Sequence, residues 1–168
     1  MFLPELRALE ALLVDIADTE LLPRLDQVSA GQKADGSLIT EADLLLQQHL
    51  TTALAEINPD IPVLGEELSA EVQQVMLEGA KHGVWCLDPL DGTRNFACGF
   101  PVFAISLALI RHGEVELGLV YDPLRRESFS ATKGKGAWLN GEPLSDQVDI
   151  SLACLLYTSD AADDYFWV

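Results

Sequence analysis

The sequence predicts an α+β fold in which an N-terminal pair of helices packs on a mostly antiparallel sheet. Apolar residues recur at helical spacing through about Asp26 and again after Thr40. From Gly83 onward the period changes to that of strands. Two-residue turn signals, His112-Gly113 and Asn140-Gly141, separate those later runs, and such turns join antiparallel neighbours. Helices first and strands afterwards is the layering expected of an α+β domain.

The first helix is expected from Pro4, whose fixed φ suits the first helical position, with Leu6, Leu9, Leu12, Leu13 and Ile16 on one stripe. Gly31 to Ser37 reads as a loop. Thr40 is placed to cap a second helix with Leu46, Leu50, Ala53, Leu54 and Ile57 as its buried face, which puts Asp43 in the first turn. Asn58-Pro59-Asp60 ends that helix, and Ile61 to Leu64 forms a short strand that delivers Gly65-Glu66-Glu67. Ser69 to Glu78 reads as helical. The strands expected after it are Val84 to Leu87, Ala104 to Ile110, Glu114 to Tyr121, Glu127 to Ala131 and Gly136 to Leu139. The longest apolar run, Phe100 to Ile110, is interrupted by Pro101 and Ser106; it suits a buried strand and is too short for a bilayer span.

A length of 168 residues supports one domain with a real core, and 49% apolar against 22% charged residues excludes a disordered chain. Ten Lys and Arg against 27 Asp and Glu give a net charge of −17, which repels nucleic-acid phosphates and anionic membranes. No direct nucleic-acid contact and no membrane partner are therefore expected. Cys86, Cys98 and Cys154 are odd in number and lack C-x-x-C spacing, so buried free thiols are expected rather than a disulfide frame or a zinc site. Met1 to Glu5 lacks the basic start and apolar stretch of a secretory signal, and a cytoplasmic location is expected.

The densest chemical signal is Asp88-Pro89-Leu90-Asp91-Gly92-Thr93-Arg94-Asn95-Phe96. Two carboxylates three residues apart, flanking a turn pinned by Pro89, can face one ion, and the Leu90 carbonyl between them completes an oxygen set that hard cations prefer. A helix starting near Gly92 would point free N–H groups out beside those carboxylates and provide a seat for phosphate. Taken singly, each feature has an ordinary reading: an Asp-Pro or Asp-Gly turn, an Asp43 that favours a helix N-terminus, a solvated Glu66-Glu67 turn, a surface Lys33. His49, His82 and His112 lie outside the motifs.

The stretch Asp88 to Thr93 resembles the D-P-[IL]-D-G-T signature of the inositol monophosphatase superfamily of lithium-sensitive, magnesium-dependent phosphatases. Three further segments resemble the same family in the same order. Lys33-Ala34-Asp35-Gly36-Ser37-Leu38-Ile39-Thr40-Glu41-Ala42-Asp43 is similar to its K-x-D-x-S-x-V-T-x-x-D segment, and Leu64-Gly65-Glu66-Glu67 to its G-E-E. Gly134-Lys135-Gly136-Ala137-Trp138-Leu139-Asn140-Gly141 is similar to its G-x-G-A-x-x-N-G hairpin.

The resemblance implies that this fold is the first part of an αβαβα layered sandwich, and that Glu66, Asp88, the Leu90 carbonyl and Asp91 hold magnesium, two or three ions in the complete family site. It implies a catalytic set of Asp43, Glu66 and Thr93, a phosphate seat of Asp91, Gly92 and Thr93, and accessory roles for Lys33 and Glu67. The expected activity is hydrolysis of a small phosphate monoester of the inositol monophosphate type, by a water that the metal activates. Alternatives are esters such as histidinol phosphate, fructose 1,6-bisphosphate and 3′-phosphoadenosine phosphate, a metal-binding chain without turnover, and a regulatory role through a partner protein, as in some bacterial relatives. Relatives are commonly homodimers.

The sequence departs from the family at Gln47, where Glu is frequent, and at Arg94, where Thr is frequent. The family's second half, ending in W-D-x-A-A-G, has no counterpart in the sequence. Residues 1–154 are accordingly read as an N-terminal α+β domain of such an enzyme, and residues 155–168 as an unrelated or non-native tail.

Overall fold

A computed structural model describes residues 4–25, 30–32, 38–65, 70–79 and 82–144. The tail from residue 155 therefore lies outside the described residues, as do Lys33, Glu66, Glu67 and Cys154.

Helix α1 (Pro4–Ile16) starts at the proline, and its Leu6, Leu9, Leu13 and Ile16 are buried as their spacing requires. The chain then widens into a π-helical turn over Ala17–Leu21 and tightens into a 3-10 turn over Leu22–Arg24, rather than running as regular α-helix to Asp26. Pro23 explains the tightening, because it has no N–H with which to continue an α-helical ladder. Strands β1 (Ala30–Gln32) and β2 (Leu38–Thr40) pair antiparallel, so Gly31 and Gln32 belong to a small ladder instead of a free loop.

Helix α2 (Glu41–Ile57) opens on a reciprocal cap. The Thr40 N–H donates to Asp43 Oδ2 at 2.7 Å, and the Asp43 N–H approaches the Thr40 hydroxyl oxygen at 3.4 Å. Its Leu46, Leu50 and Leu54 are fully buried, whereas Ile57 is 45% exposed, against expectation. Ile57 is the last helical residue, and it lines a cavity.

The main sheet has seven strands in sequence order: β3 (Val63–Gly65), β4 (Val84–Asp91), β5 (Ala104–Arg111), β6 (Glu114–Asp122), β7 (Glu127–Thr132), β8 (Gly136–Leu139) and β9 (Glu142–Pro143). Only the β3–β4 pair is parallel; helix α3 (Ala70–Gly79) lies within that connection, and every other pair is antiparallel. The two expected hairpin turns form with all four residues at positive φ: His112 at 53°, Gly113 at 75°, Asn140 at 52° and Gly141 at 80°.

One sheet face presents Leu87, Ile105, Leu107, Leu119 and Tyr121 to the helices and closes a continuous core with Leu13, Leu46 and Leu50. Phe100 and Val102 are exposed rather than part of a buried strand, because β5 begins only at Ala104, after Pro101. Cys98 is also exposed and Cys86 half-buried, so the expectation of fully buried thiols fails for both. Cys98 sits at the C-cap of a helix only five residues long, which leaves it outside the core. Among the described residues no helix is long and apolar enough to cross a membrane.

Candidate active site

The site corner, where β4 gives way to helix α4 (Thr93–Ala97), is shaped by one bulge and one glycine. Strand pairing runs through the motif rather than stopping at a Pro89 turn: Asp88 lies opposite Ser106 and Asp91 opposite Ala104. Three steps along β4 thus match two along β5, so one residue is extra. Pro89, without an N–H, cannot maintain a regular ladder at this point. The consequence is chemical. Residues three apart on a regular strand point to opposite faces, but Ser106 and Ala104 are two apart and share a face, so the bulge brings Asp88 and Asp91 onto the same side.

Gly92 follows at φ 87° and forms the N-cap of α4. A Cβ at this position would stand 2.9 Å from the Val102 carbonyl oxygen and 3.2 Å from Phe103 Cα, so both conformation and space require glycine. The close approach is held from both sides. Asn95 Nδ2 donates to that Val102 carbonyl at 2.7 Å, and the Phe96 and Phe103 rings meet edge to face with centroids 5.2 Å apart. Nothing in the spacing of the motif marked Asn95 for this positioning role.

The polar atoms of the corner form a chain. The Leu90 N–H donates to Asp88 Oδ1 at 3.1 Å. The Thr93 hydroxyl stands 3.0 Å from the Leu90 carbonyl oxygen and 3.0 Å from Asp43 Oδ1, fifty positions away in sequence. Asp43 is 5% exposed, and its second carboxylate oxygen accepts from both the N–H and the hydroxyl of Thr40, at 2.7 and 2.5 Å. The helix cap thereby aims Asp43, and Asp43 in turn fixes Thr93. The Thr93 hydroxyl has one proton for two acceptors, which leaves its lone pairs for a donor such as water.

A further oxygen faces this region. Gln47 lies one helical turn beyond Asp43, and a Cβ on Gly65 would meet its Oε1 at 2.7 Å, so Gln47 reaches the end of β3 directly before Glu66. Its Oε1 is buried without a hydrogen-bond partner among the described residues, while its Nε2 donates to Thr51 at 3.0 Å. Such an orphaned acceptor is costly unless a donor arrives. The sequence showed Gln47 as a departure from the family but gave no sign that its amide oxygen would be buried here.

Asp43, Asp88, Leu90, Asp91, Gly92 and Thr93 are thus gathered at one corner, half-buried Asp88 and exposed Asp91 side by side on the sheet. The donors are all oxygens, which suits a hard divalent cation; the Leu90 carbonyl keeps a second lone pair after accepting from Thr93. Among the described residues there is no group of three or more His, Cys, Asp and Glu disposed to hold a metal. Glu66, the remaining expected carboxylate, is outside them. Burial pushes the Cys86 thiol above its ordinary pKa, which makes it a poor nucleophile at neutral pH.

Comparison with known proteins agrees with this geometry. The Nus factor SuhB of Pseudomonas aeruginosa is 39% identical over 126 residues, covering 73% of this chain and 44% of that protein. An IMPase from Thermotoga maritima superposes with a TM-score of 0.71 at 30% identity, over 86% of this chain and 55% of its own. An IMPase/NADP phosphatase complexed with Mg2+ and phosphate superposes with a TM-score of 0.67 at 26% identity, over 84% of this chain and 54% of its own. The chain spans about half the length of the relatives it matches. The sequence model of the inositol monophosphatase family matches residues 6–164, and the chain belongs to that family.

Proposed function

We propose that the protein is a magnesium-dependent phosphatase that hydrolyses a small phosphate monoester of the inositol monophosphate type. The observation that carries this reading is the hydrogen-bonded chain from Asp88 through Leu90 and Thr93 to Asp43, set beside Asp91 on one sheet face. Family membership supports the reaction class, and the solved relative complexed with Mg2+ and phosphate supports the cofactor.

In this reading Asp88, Asp91, the Leu90 carbonyl and Glu66 hold the cation. A bound magnesium ion supplies a reversed local sign for the dianionic ester, a more acidic water and stabilisation of the leaving oxygen. The chain's own residues orient the reaction. Thr93, with its proton already shared between Asp43 and the Leu90 carbonyl, accepts from the attacking water and turns that water's lone pair toward phosphorus. Asp43 holds Thr93 in that sense, and Glu66 takes part in activating the water.

The Gly92 and Thr93 N–H groups, at the open start of α4, donate to the phosphoryl oxygens as charge shifts onto them. Lys33 and Glu67 act as accessory contacts. Attack breaks the bond between phosphorus and the ester oxygen and yields inorganic phosphate and the free alcohol. With a net charge of −17, any transcription-linked role akin to the name of the P. aeruginosa relative runs through a protein partner rather than through nucleic acid.

The test is release of inorganic phosphate from inositol 1-phosphate by the full chain, with magnesium titrated. Release that saturates with magnesium, stops with chelator and falls by about 10²- to 10⁴-fold in Thr93→Val supports the reading. Magnesium uptake without phosphate release from this ester, histidinol phosphate, fructose 1,6-bisphosphate, 3′-phosphoadenosine phosphate or NADP overturns it. That result favours a second reading, a metal-binding chain without turnover.

A further inference from the structure

The face of the main sheet that turns away from the helices carries two neighbouring rows of unequal size. Its positions alternate along the strands with the buried Leu107, Leu119 and Trp138. Strand pairing sets Cys86, Ala108, Gly118, Ala131 and Ala137 side by side from β4 to β8. The next row on the same face is Ser106, Val120, Phe129 and Leu139, in which Val120 and Phe129 are 40% and 41% exposed. An antiparallel sheet with one face in water ordinarily turns polar residues outward. Here a ridge of larger, mostly apolar side chains borders a groove of small ones.

Gly118 forms the floor of the groove. Its φ lies outside the left-handed region, and a Cβ built on it meets nothing within 4 Å. Neither backbone conformation nor the packing of the chain itself therefore requires glycine in the middle of β6, where it weakens the strand. The remaining reason for such a glycine is the close approach of another surface.

We propose that this face joins two copies of the chain, sheet on sheet, about a two-fold axis parallel to the rows. That axis lays the ridge of each copy over the groove of the other: Val120 over the partner's Gly118, Phe129 over the partner's Ala131 and Leu139 over the partner's Ala137. A two-fold contact uses one patch twice, so the patch must complement itself, and a ridge beside a matching groove does. Charge points to the same face. Two copies of net charge −17 repel over most of their surface. Neither row carries a charge from β5 to β8; Asp88 extends the ridge only at its β4 end, and Asp122 and Glu127 stand one row beyond. The area is sufficient. Five strands about 4.8 Å apart, on average about seven residues long, cover roughly 570 Å² per copy and about 1,100 Å² in the pair, against the roughly 1,000 Å² that a specific interface needs.

The experiment is sedimentation equilibrium of the full chain without magnesium, from about 1 to about 100 μM. The expected result is a mass that rises to twice that of the monomer, with a dissociation constant in the micromolar range. Gly118→Val fills the groove without touching the chain's own atoms and replaces a poor strand former. It should weaken association at least about tenfold while keeping or raising the thermal midpoint measured where the protein is monomeric. Phe129→Lys places a charge on the ridge and should weaken association to a similar degree. Ile57→Lys, on the helix side of the sheet, should leave it unchanged. A wild type that stays monomeric at about 100 μM overturns the proposal and assigns the face to residues beyond Leu144 or to a different protein. Wild-type association in either folded variant also overturns it. None of these readouts depends on phosphatase turnover.

Discussion

The two ends of the α2–β4 pair are made from the same helix and the same strand, yet their polar groups are arranged in opposite ways. At the Asp43 end the polar atoms bond to one another, Thr40 to Asp43, Thr93 to Asp43 and Leu90, Leu90 to Asp88. At the Ile57 end the Trp85 indole N–H and the Thr132 hydroxyl are buried without a hydrogen bond among the described residues. The first end is organised before any ligand arrives, which is what catalysis by positioning needs. The second leaves buried donors unpaired, which costs stability. Gln47 Oε1 is the exception at the first end, a buried acceptor without a partner among the described residues.

The change that would break this comparison most severely acts on Asp43. Asp43→Asn keeps an acceptor for the Thr40 cap but turns an amide N–H toward Thr93, which reverses the hydrogen bond that fixes the Thr93 proton. Phosphate release should fall about 10²- to 10⁴-fold with the thermal midpoint nearly unchanged. Asp43→Ala should show the same loss of activity plus about 1 kcal/mol of stability, from the broken cap. Equal stability losses in the two variants would show that Asp43 serves the fold more than the site.

Next in size is Gly92→Ala. A side chain there must adopt φ 87° and push against the Val102 carbonyl, so a loss of about 1–3 kcal/mol is expected in denaturant unfolding. Activity should fall together with stability, because the same glycine sets the direction of the first α4 amides. At the other end of the pair, Ile57→Ala should cost less than 1 kcal/mol, since the residue is 45% exposed.

The smallest effect lies away from both ends, in the β6–β7 turn. Burial alone would raise the Asp122 pKa, but the Arg125 N–H and guanidinium and the Leu124 N–H outweigh it and hold Asp122 below the ordinary carboxylate range. A depressed folded pKa gives stability that is present above the unfolded value, near pH 4, and lost as pH falls through the folded one. Asp122→Asn should therefore lower stability at neutral pH by about 0.5 kcal/mol and leave stability below the folded pKa close to wild type, which flattens the acid limb of the profile.

What could be read from the sequence follows the range of the forces involved. The Thr40 cap and the two hairpin turns depend on residues within four positions, and they form as expected. The first helix's apolar stripe and the sheet's alternation are equally local, so the α+β class was accessible from the start. The chemistry of Asp88 to Thr93 was legible as residue types, but its geometry was not. Whether Pro89 makes a turn or a bulge is decided by its pairing with β5, a dozen or more positions later, and only the bulge explains why both aspartates share a face. Ile57 is exposed for a related reason, since helix periodicity cannot tell where the partner layer ends, and Cys98 because the usual burial of free thiols says nothing of a five-residue helix that ends outside the core. The buried, unpaired atoms of Gln47, Trp85 and Thr132 have no sequence signature at all, since each arises from packing between distant segments.

The most direct test of the oxygen-donor corner is calorimetric titration of Mg2+ into the full chain, wild type beside Asp91→Asn. Saturable uptake by the wild type, and affinity at least about tenfold weaker in the variant, are expected. Superimposable isotherms, or no uptake by the wild type, would contradict it.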